Sequence, residues 1–66
     1  KGAISDFTKA IDLDPKNGEV YYNRAYAYYK LKNYDLALVD VHRAQKLGFE
    51  VDPRFLDALK EFSSST

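Results

Sequence analysis

The sequence contains no cysteine, no methionine and no tryptophan, and it has only one histidine, two prolines and three glycines. Without cysteine the chain has no disulfide bonds and no thiolate metal sites, and a single histidine leaves few of the usual catalytic combinations. Ten basic residues balance ten acidic ones, which argues against a nucleic-acid or membrane-surface binder that depends on overall charge. No apolar run approaches the ~18 residues of a membrane span, and the first residues of this sequence do not show the pattern of a signal peptide. Because the sequence has no methionine, including an initiator, we expect these 66 residues to be an excised or processed fragment.

What the sequence does contain is apolar residues at helical spacing. Residues 3–13 predict a first helix, and Pro15 indicates that this helix ends near Leu13. Asn17 is placed to cap a second helix that continues to about Leu31. Two apolar stripes run along this second helix, so we predict that it has two neighbours, or one neighbour and a binding surface.

A third and a fourth helix follow in the sequence. Asn33 is placed to cap the third helix, and Gly48 is placed to end it with left-handed backbone. Asp52, followed by proline, predicts the start of a fourth helix, and residues 63–66 are expected to form a disordered tail. Four short helices with short connections, and no alternating strand pattern, predict an all-α fold of antiparallel helical hairpins.

The first and third helical segments match each other at a spacing of 34 residues. The matched pairs are Ala3 and Ala37, Ile4 and Leu38, Asp6 and Asp40, Phe7 and Val41, Ala10 and Ala44, and Leu13 and Leu47. A period of this length in helix-turn-helix units resembles the tetratricopeptide repeat (TPR) family. The resemblance implies an α-solenoid of stacked hairpins, of which this chain is a C-terminal piece.

Further residues strengthen the resemblance, which covers about residues 1–47. Tyr21, Ala25 and Tyr28 match the aromatic, small and aromatic positions of the family's helix A. The matching positions of helix B are Tyr34, Ala37, Val41 and Ala44 in one copy and Ala3, Phe7, Ala10 and Pro15 in the other. The small residues would let the helix axes approach closely while the aromatic rings fill the gaps between them.

Three positions depart from the family pattern. Arg24 replaces the usual leucine, so we expect its stem to pack while its charged head reaches water. Lys32 replaces the usual glycine of the turn between helices A and B, at a cost of up to ~1 kcal/mol if its backbone is left-handed. Phe49 stands where the closing proline is usual, so we interpret the fourth helix as a terminal capping helix.

The resemblance also implies a division of the chain. Residues 1–15 would be the second helix of a truncated TPR, and residues 18–49 would be one full TPR hairpin. Residues 52–62 would be the C-terminal capping helix.

In this family the A helices line a concave groove that binds peptides or partner helices. The resemblance implies that the residues facing this groove are Glu19, Tyr22, Asn23, Tyr26, Tyr29 and Lys30. The helical spacing agrees in part, because Tyr22, Tyr26 and Tyr29 lie off the main apolar stripe of their helix. Tyrosine offers rigid contact area with a polar tip, which suits recognition. The alternative is that these tyrosines pack against a neighbouring repeat or another copy of the chain.

The stretch 22–25 also resembles members of the family that bind chaperone tails. In those members an asparagine at the position of Asn23 joins a clamp that holds a carboxylate. The clamp also needs basic and amide residues on the flanking A helices, and the fourth helix offers Arg54 and Lys60 at a different spacing. We therefore do not predict a complete clamp within this chain.

No catalytic, cofactor or metal site is predicted, so the chain is not expected to be an enzyme. His42 has no evident nucleophile or orienting acid, which indicates an ordinary surface histidine. The acids are scattered over polar faces, where they would form surface pairs of ~0.2–0.5 kcal/mol each. They are Asp12, Asp14, Asp35, Asp40 and Glu61.

Two functions from different classes remain. The first is a scaffold or adaptor module for protein–protein interaction, which binds a protein or peptide partner through the tyrosine-lined concave face. The second is a structural terminus that packs on the rest of its protein or self-associates as a homo-oligomer, because one flank of Ile4, Phe7 and Ile11 should be uncovered. We expect no nucleic-acid and no membrane partner, and a soluble chain for which the cytoplasm is the favoured compartment.

Overall fold

Four helices make up the fold. The computed structural model describes residues 2–64, and for Ser64 its backbone. The helices are α1 (Gly2–Leu13), α2 (Gly18–Lys30), α3 (Tyr34–Lys46) and α4 (Pro53–Ser64). Each helix packs on the next one along the chain, and the residues that the structure describes include no strand, which confirms the predicted all-α fold of helical hairpins. None of these helices is long and apolar enough to cross a membrane.

The helix starts follow the predicted capping residues, with one difference. The backbone N–H of Glu19 donates to Asn17 Oδ1 at 3.1 Å, so Asn17 is the N-cap of α2. At the start of α4, the backbone N–H of Arg54 donates to Asp52 Oδ1 at 2.9 Å. Asn33 occupies the cap position of α3, but its side chain makes no capping hydrogen bond. The three starts are therefore placed by the sequence and stabilised to different extents.

Left-handed backbone ends two of the helices. Gly48 has φ of 88°, and the N–H of Phe49 reaches back to the carbonyl of Ala44 at 3.0 Å, as the sequence predicts for the end of α3. Lys32, in the turn after α2, has φ of 63° although it carries a side chain. The expected strain at this departure from the family glycine is therefore present in the structure.

The core consists of two small clusters that follow one another along the same face of α2. Ala25, Ala37, Val41 and Leu59 form one of them, and they join α2, α3 and α4. The other contains Ile11, Tyr21 and Ala44, and it joins α1, α2 and α3. Three of these seven buried residues are alanines, which lets the helix axes lie close together.

Phe49 closes the end of the second cluster. A Cβ added to Gly18 would lie 2.9 Å from the Cβ of Phe49, so a residue larger than glycine would clash with Phe49 here. The aromatic residue that replaces the family proline thus packs against the start of α2.

Two predictions about individual residues were wrong. Ile11 is buried against Tyr21 and Ala44, whereas we expected an uncovered flank there; Ile4 and Phe7 are half-buried. Asp40 is 1% exposed rather than on a polar face, because an arginine reaches it in the interior.

The C-terminal boundary also differs from the sequence prediction. Helix α4 continues to Ser64, and the hydroxyl of Ser63 donates to Asp35 Oδ1 at 2.9 Å. This hydrogen bond ties the last turn of α4 to the first turn of α3, where a disordered tail was expected. The remaining residues of that predicted tail, 65 and 66, lie outside the described residues.

Candidate functional site

A groove of about 490 Å³ lies between α1 and α2. The side chains that line it are Ala3, Phe7, Tyr22, Asn23, Tyr26, Ala27 and Lys30. Four of these belong to the six residues that the sequence assigned to a concave binding face, namely Tyr22, Asn23, Tyr26 and Lys30. The floor is therefore mostly apolar and aromatic, with one amide and one ammonium group at its edge.

The other two predicted site residues lie elsewhere. Glu19 is exposed in the first turn of α2, and Tyr29 is half-buried on the side of α2 that meets α4. The ring of Tyr29 lies 5.4 Å from that of Phe55 and 6.3 Å from that of Phe62, measured between centroids. The structure thus brings four of the six residues together and directs Tyr29 into a helix–helix contact.

Tyr22, Tyr26 and Tyr29 form a tyrosine row along α2, and Phe55 of α4 contacts all three of them. The ring of Phe55 lies within 5.4–5.8 Å of the rings of Tyr22, Tyr26 and Tyr29, measured between centroids. Aromatic pairs at such distances stabilise by about 0.5–1.5 kcal/mol beyond the area that they bury. Of the three tyrosines, Tyr26 keeps the most solvent contact, at 48% exposure. The tyrosine row therefore packs on α4, and Tyr26 in the same row is still exposed to a ligand.

Lys30 is held at the end of the groove by an aromatic contact. Its Nζ lies 5.2 Å from the ring centroid of Tyr26, which is within the range of a cation–π interaction. The contact orders a long side chain next to the most exposed tyrosine. It places one positive charge beside the apolar floor.

An ion pair that the sequence did not predict lies in the interior near this groove. Arg24 Nε donates to Asp40 Oδ2 at 2.7 Å, and a terminal nitrogen of Arg24 donates to Asp40 Oδ1 at 2.9 Å. The other terminal nitrogen donates to the hydroxyl of Thr8 at 3.1 Å. The guanidinium carbon also lies 5.8 Å from the ring centroids of both Tyr21 and Tyr28. The head of Arg24 is thus partly enclosed by side chains of α1, α2 and α3, while 18% of the side chain stays exposed, so the charge keeps part of the expected contact with water.

This enclosure has an electrostatic cause and a structural consequence. The hydrogen bonds to Asp40 raise the pKa of Arg24 above its ordinary value, although burial opposes the rise. Arg24 therefore stays charged, and its bidentate pair fixes α2 against α3 while the bond to Thr8 fixes α1. Because α1 and α2 are the walls of the groove, this network sets their separation. The signal in the sequence was an arginine within an apolar stripe together with an aspartate that recurs in the repeat.

The remaining polar candidates do not form a reactive site. Arg54 pairs with Asp52 at the start of α4, through its terminal nitrogen at 3.4 Å, and lies outside the groove lining. The hydrogen bond from the backbone of Arg54, and then that from its side chain, lower the pKa of Asp52. His42 is exposed on α3 beside Val39 and Arg43. Residues 2–64 contain no group of three histidine, aspartate or glutamate side chains that could hold a metal ion.

The fold and the groove together define a class of protein, an all-α module of helical hairpins with a groove between two of its helices. Comparison with known proteins agrees with this class. The tetratricopeptide repeat profile matches residues 7–39, which is half of the chain, so the chain belongs to the tetratricopeptide repeat family. TPR units are in general protein–protein interaction modules and typically have no catalytic activity.

One curated relative is similar over most of this chain. It is a DnaJ homolog subfamily C member 7 homolog from Dictyostelium discoideum, with 42% identity over 48 residues. The match covers 73% of this chain but only 9% of the relative, so this chain spans a small part of that protein's length. No solved structure matches the chain.

Proposed function

We propose that this protein is a scaffold or adaptor module that binds an extended peptide segment of a partner protein in the groove between α1 and α2. The observation that carries the proposal is the convergence of Tyr22, Asn23, Tyr26 and Lys30 on one groove. A groove with an apolar floor and a few polar groups at its edge is the usual form of a recognition site. The half-exposed ring of Tyr26 and the ammonium group of Lys30 are both accessible to a ligand.

The groove chemistry specifies the kind of peptide. An apolar side chain of the ligand would pack against Phe7 and Ala27, which lie on opposite walls. The amide of Asn23 can both donate to and accept from a peptide backbone. An acidic side chain or carboxylate would pair with Lys30. The expected ligand is thus an extended segment with one large apolar residue and an acid a few residues away.

The division into repeats is part of this proposal. Helix α1 is then the second helix of one TPR, α2 and α3 are a complete hairpin, and α4 is a capping helix for the last repeat. The contacts of Phe55 with three tyrosines of α2 support such a role for α4, because they cover apolar rings that water would otherwise meet.

A selection experiment tests the peptide-binding function. A phage-displayed library of random peptides would be selected on the full 66-residue chain, and the affinity of a selected peptide measured by fluorescence anisotropy. We expect Tyr26→Ala to weaken binding by about tenfold, since it removes an aromatic contact of the order of 1.4 kcal/mol. Asn23→Ala and Lys30→Ala should each weaken binding several-fold, and the effect of Lys30→Ala should diminish at high salt.

The matched controls are Asn33→Ala and Lys16→Ala, which remove the same chemical groups at exposed positions outside the groove. Tyr22 and Tyr29 are left unchanged because they are more buried than Tyr26 and their rings also contact Phe55, and circular dichroism of Tyr26→Ala checks that the fold survives the loss of its own contact with Phe55. Selection of no peptide, or equal losses in the groove variants and the controls, would contradict the proposal.

The second candidate function is that of a structural terminus of the repeat array, which self-associates as a homo-oligomer. The observation in its favour is exposed apolar side chains, chiefly Leu13 at 88% and Leu31 at 67%. Sedimentation of the isolated chain at high micromolar concentration tests it. A mass of one chain rejects this candidate and leaves the peptide-binding function in place.

A further inference from the structure

Helix α3 has a continuous exposed face. Its residues follow one another at spacings of three or four along the helix, so they are neighbours on its surface. They are Leu36, Val39, His42, Arg43 and Lys46, and all five are exposed. Four of them line a shallow depression of about 440 Å³, to which Leu36 does not belong. We call these five residues the outer face.

The outer face points away from both helices that pack on α3. On the opposite side of α3, Ala37 and Val41 are buried in one cluster with Ala25 of α2 and Leu59 of α4. The helices before and after α3 in the chain are thus both in place, and they leave the outer face open. In stacked repeats each unit contacts only its neighbours, so further repeats at either end of the array would not cover this face.

The outer face is apolar at one end and positively charged at the other. Leu36 and Val39, one turn apart, are 44% and 48% exposed. Arg43 and Lys46 lie in the last turn of α3, and their side chains make no hydrogen bond or ion pair with any residue that the structure describes. The dipole of α3 favours basic residues in its last turn, but it accounts for neither of the exposed apolar residues.

The two acids of α3 leave these positive charges uncompensated. Asp40 is paired with Arg24 in the interior. Asp35 lies eight residues before Arg43, which is about 12 Å along the helix axis. That separation exceeds the Debye length of ~8 Å at physiological ionic strength. The C-terminal half of the outer face is therefore a local positive patch in a chain whose formal net charge is zero.

The combination of apolar and basic residues favours an acidic helix over other partners. Membrane surfaces that bind by charge recruit clusters of about 4–8 basic residues, whereas this face has Arg43 and Lys46 with one histidine beside them. Nucleic acid is bound mainly through its phosphates, which gain nothing from exposed leucine and valine. A second copy of α3 in antiparallel orientation offers one acid, Asp35, which already accepts a hydrogen bond from Ser63.

We propose that the outer face is a docking surface for an acidic amphipathic helix of a partner protein. It is distinct from the peptide groove, because none of its residues lines that groove. The partner helix runs antiparallel to α3. Carboxylates in its first two turns pair with Arg43 and Lys46, at the end where the partner's own dipole also favours acids. Two apolar residues in its later turns cover Leu36 and Val39.

A charge-swap experiment tests this docking surface with a defined probe. The probe is a labelled helical peptide of about four turns, with glutamates in its first two turns and leucines on the same face of its last two. Its binding to the full 66-residue chain is measured by fluorescence anisotropy. Lys46→Glu should weaken binding several-fold, and Lys46→Glu together with Arg43→Glu by more than about tenfold. A probe with lysines in place of its glutamates should regain most of the affinity for the double variant.

The matched control is Lys9→Glu, which makes the same charge change at an exposed position of α1 and should leave the affinity nearly unchanged. Leu36→Gln tests the apolar end, since it removes the apolar contact but keeps a good helix former. It should weaken binding several-fold at every salt concentration, whereas the effect of Lys46→Glu should diminish at high salt. Circular dichroism checks that each variant folds, which is expected at exposed positions. Tyr26→Ala should not change the affinity for this probe, which separates the docking surface from the peptide-binding function.

Several outcomes would overturn the proposal. The probe does not bind, Leu36→Gln leaves its affinity unchanged, or Lys9→Glu weakens binding as much as Lys46→Glu. Loss of binding in Tyr26→Ala would assign the probe to the groove. A dimer that excludes the probe and that Lys46→Glu dissolves would make the occupant a second copy. Competition by vesicles that contain phosphatidylserine, removed by Lys46→Glu, would make it a membrane surface.

Discussion

Replacing Arg24 with methionine should remove a large part of the stability of this chain. The substitution keeps an unbranched stem beside Tyr21 and Tyr28 but leaves Asp40 buried without a partner. Breaking a buried ion pair by removing one member typically costs about 3–5 kcal/mol. The side chain of Arg24 is 18% exposed and that of Asp40 is 2% exposed, so water screens the arginine in part and the aspartate hardly at all. We therefore expect the lower end of the range, about 3 kcal/mol.

That loss is large for a domain of this size. At ~0.05–0.15 kcal/mol per residue, 66 residues give a total stability of about 3–10 kcal/mol. A loss of about 3 kcal/mol corresponds to a fall of roughly 12–24 °C in Tm for a small domain. Urea denaturation and thermal melts, both followed by far-ultraviolet circular dichroism, measure the two quantities.

A double-mutant cycle separates the buried charge from other effects of the substitution. Asp40→Ala in the Arg24→Met background removes the unpaired carboxylate, so the double variant should be more stable than Arg24→Met alone. Lys46→Met, at an exposed position of α3, is the control for the loss of one positive charge. The reasoning is refuted if Arg24→Met is as stable as the parent chain, or if Asp40→Ala lowers the stability of the Arg24→Met variant further.

Three further predictions concern the ends of the helices. Asn17→Ala should lower the free energy of unfolding by ~1 kcal/mol, since it removes a capping hydrogen bond, and Asn33→Ala should change it little; equal losses in urea denaturation would contradict this. Lys32→Gly should raise the free energy of unfolding by up to ~1 kcal/mol in the same assay, because glycine adopts a φ of 63° without strain. A lower free energy of unfolding would contradict this. The pKa of Asp52 is lowered from 3.8, so its contribution to stability is present above that pH and is lost as the pH falls through the lowered pKa. Asp52→Asn should flatten the acid side of the stability–pH curve, and an unchanged curve would contradict this.

Local signals in the sequence were sufficient for the four helices and for most of their ends, the C-terminal end of α4 being the exception. Asn17, Asp52 and Gly48 act through hydrogen bonds and backbone angles within a few residues of themselves. The recurrence of small and apolar residues after 34 positions identified the repeat, because each hairpin buries the same face in the same way. These features depend on nearby residues, so a single sequence contains them.

Sequence spacing was less informative about the binding face. It grouped Tyr22, Tyr26 and Tyr29 on one side of α2, yet Tyr29 contacts Phe55 and Phe62 of α4 and lies outside the groove lining. The position of α4 against α2 depends on packing between helices far apart in the sequence. Helical periodicity gives the direction of a side chain from its own helix, but it does not say what lies opposite.

The sequence by itself determined the all-α hairpins, the repeat period and the positions of the caps, because these depend on short-range geometry. Only the tertiary structure decided which charged side chains are buried and paired. Arg24 and Asp40 are 16 residues apart and each looked like a surface residue, but their helices bring them within 2.7 Å of each other in the interior. Asp6, which has the same residue type and repeat position as Asp40, remains exposed because no described helix covers it. The burial of a residue depends on whether another helix packs over it, and the packing of the helices is decided by the tertiary structure.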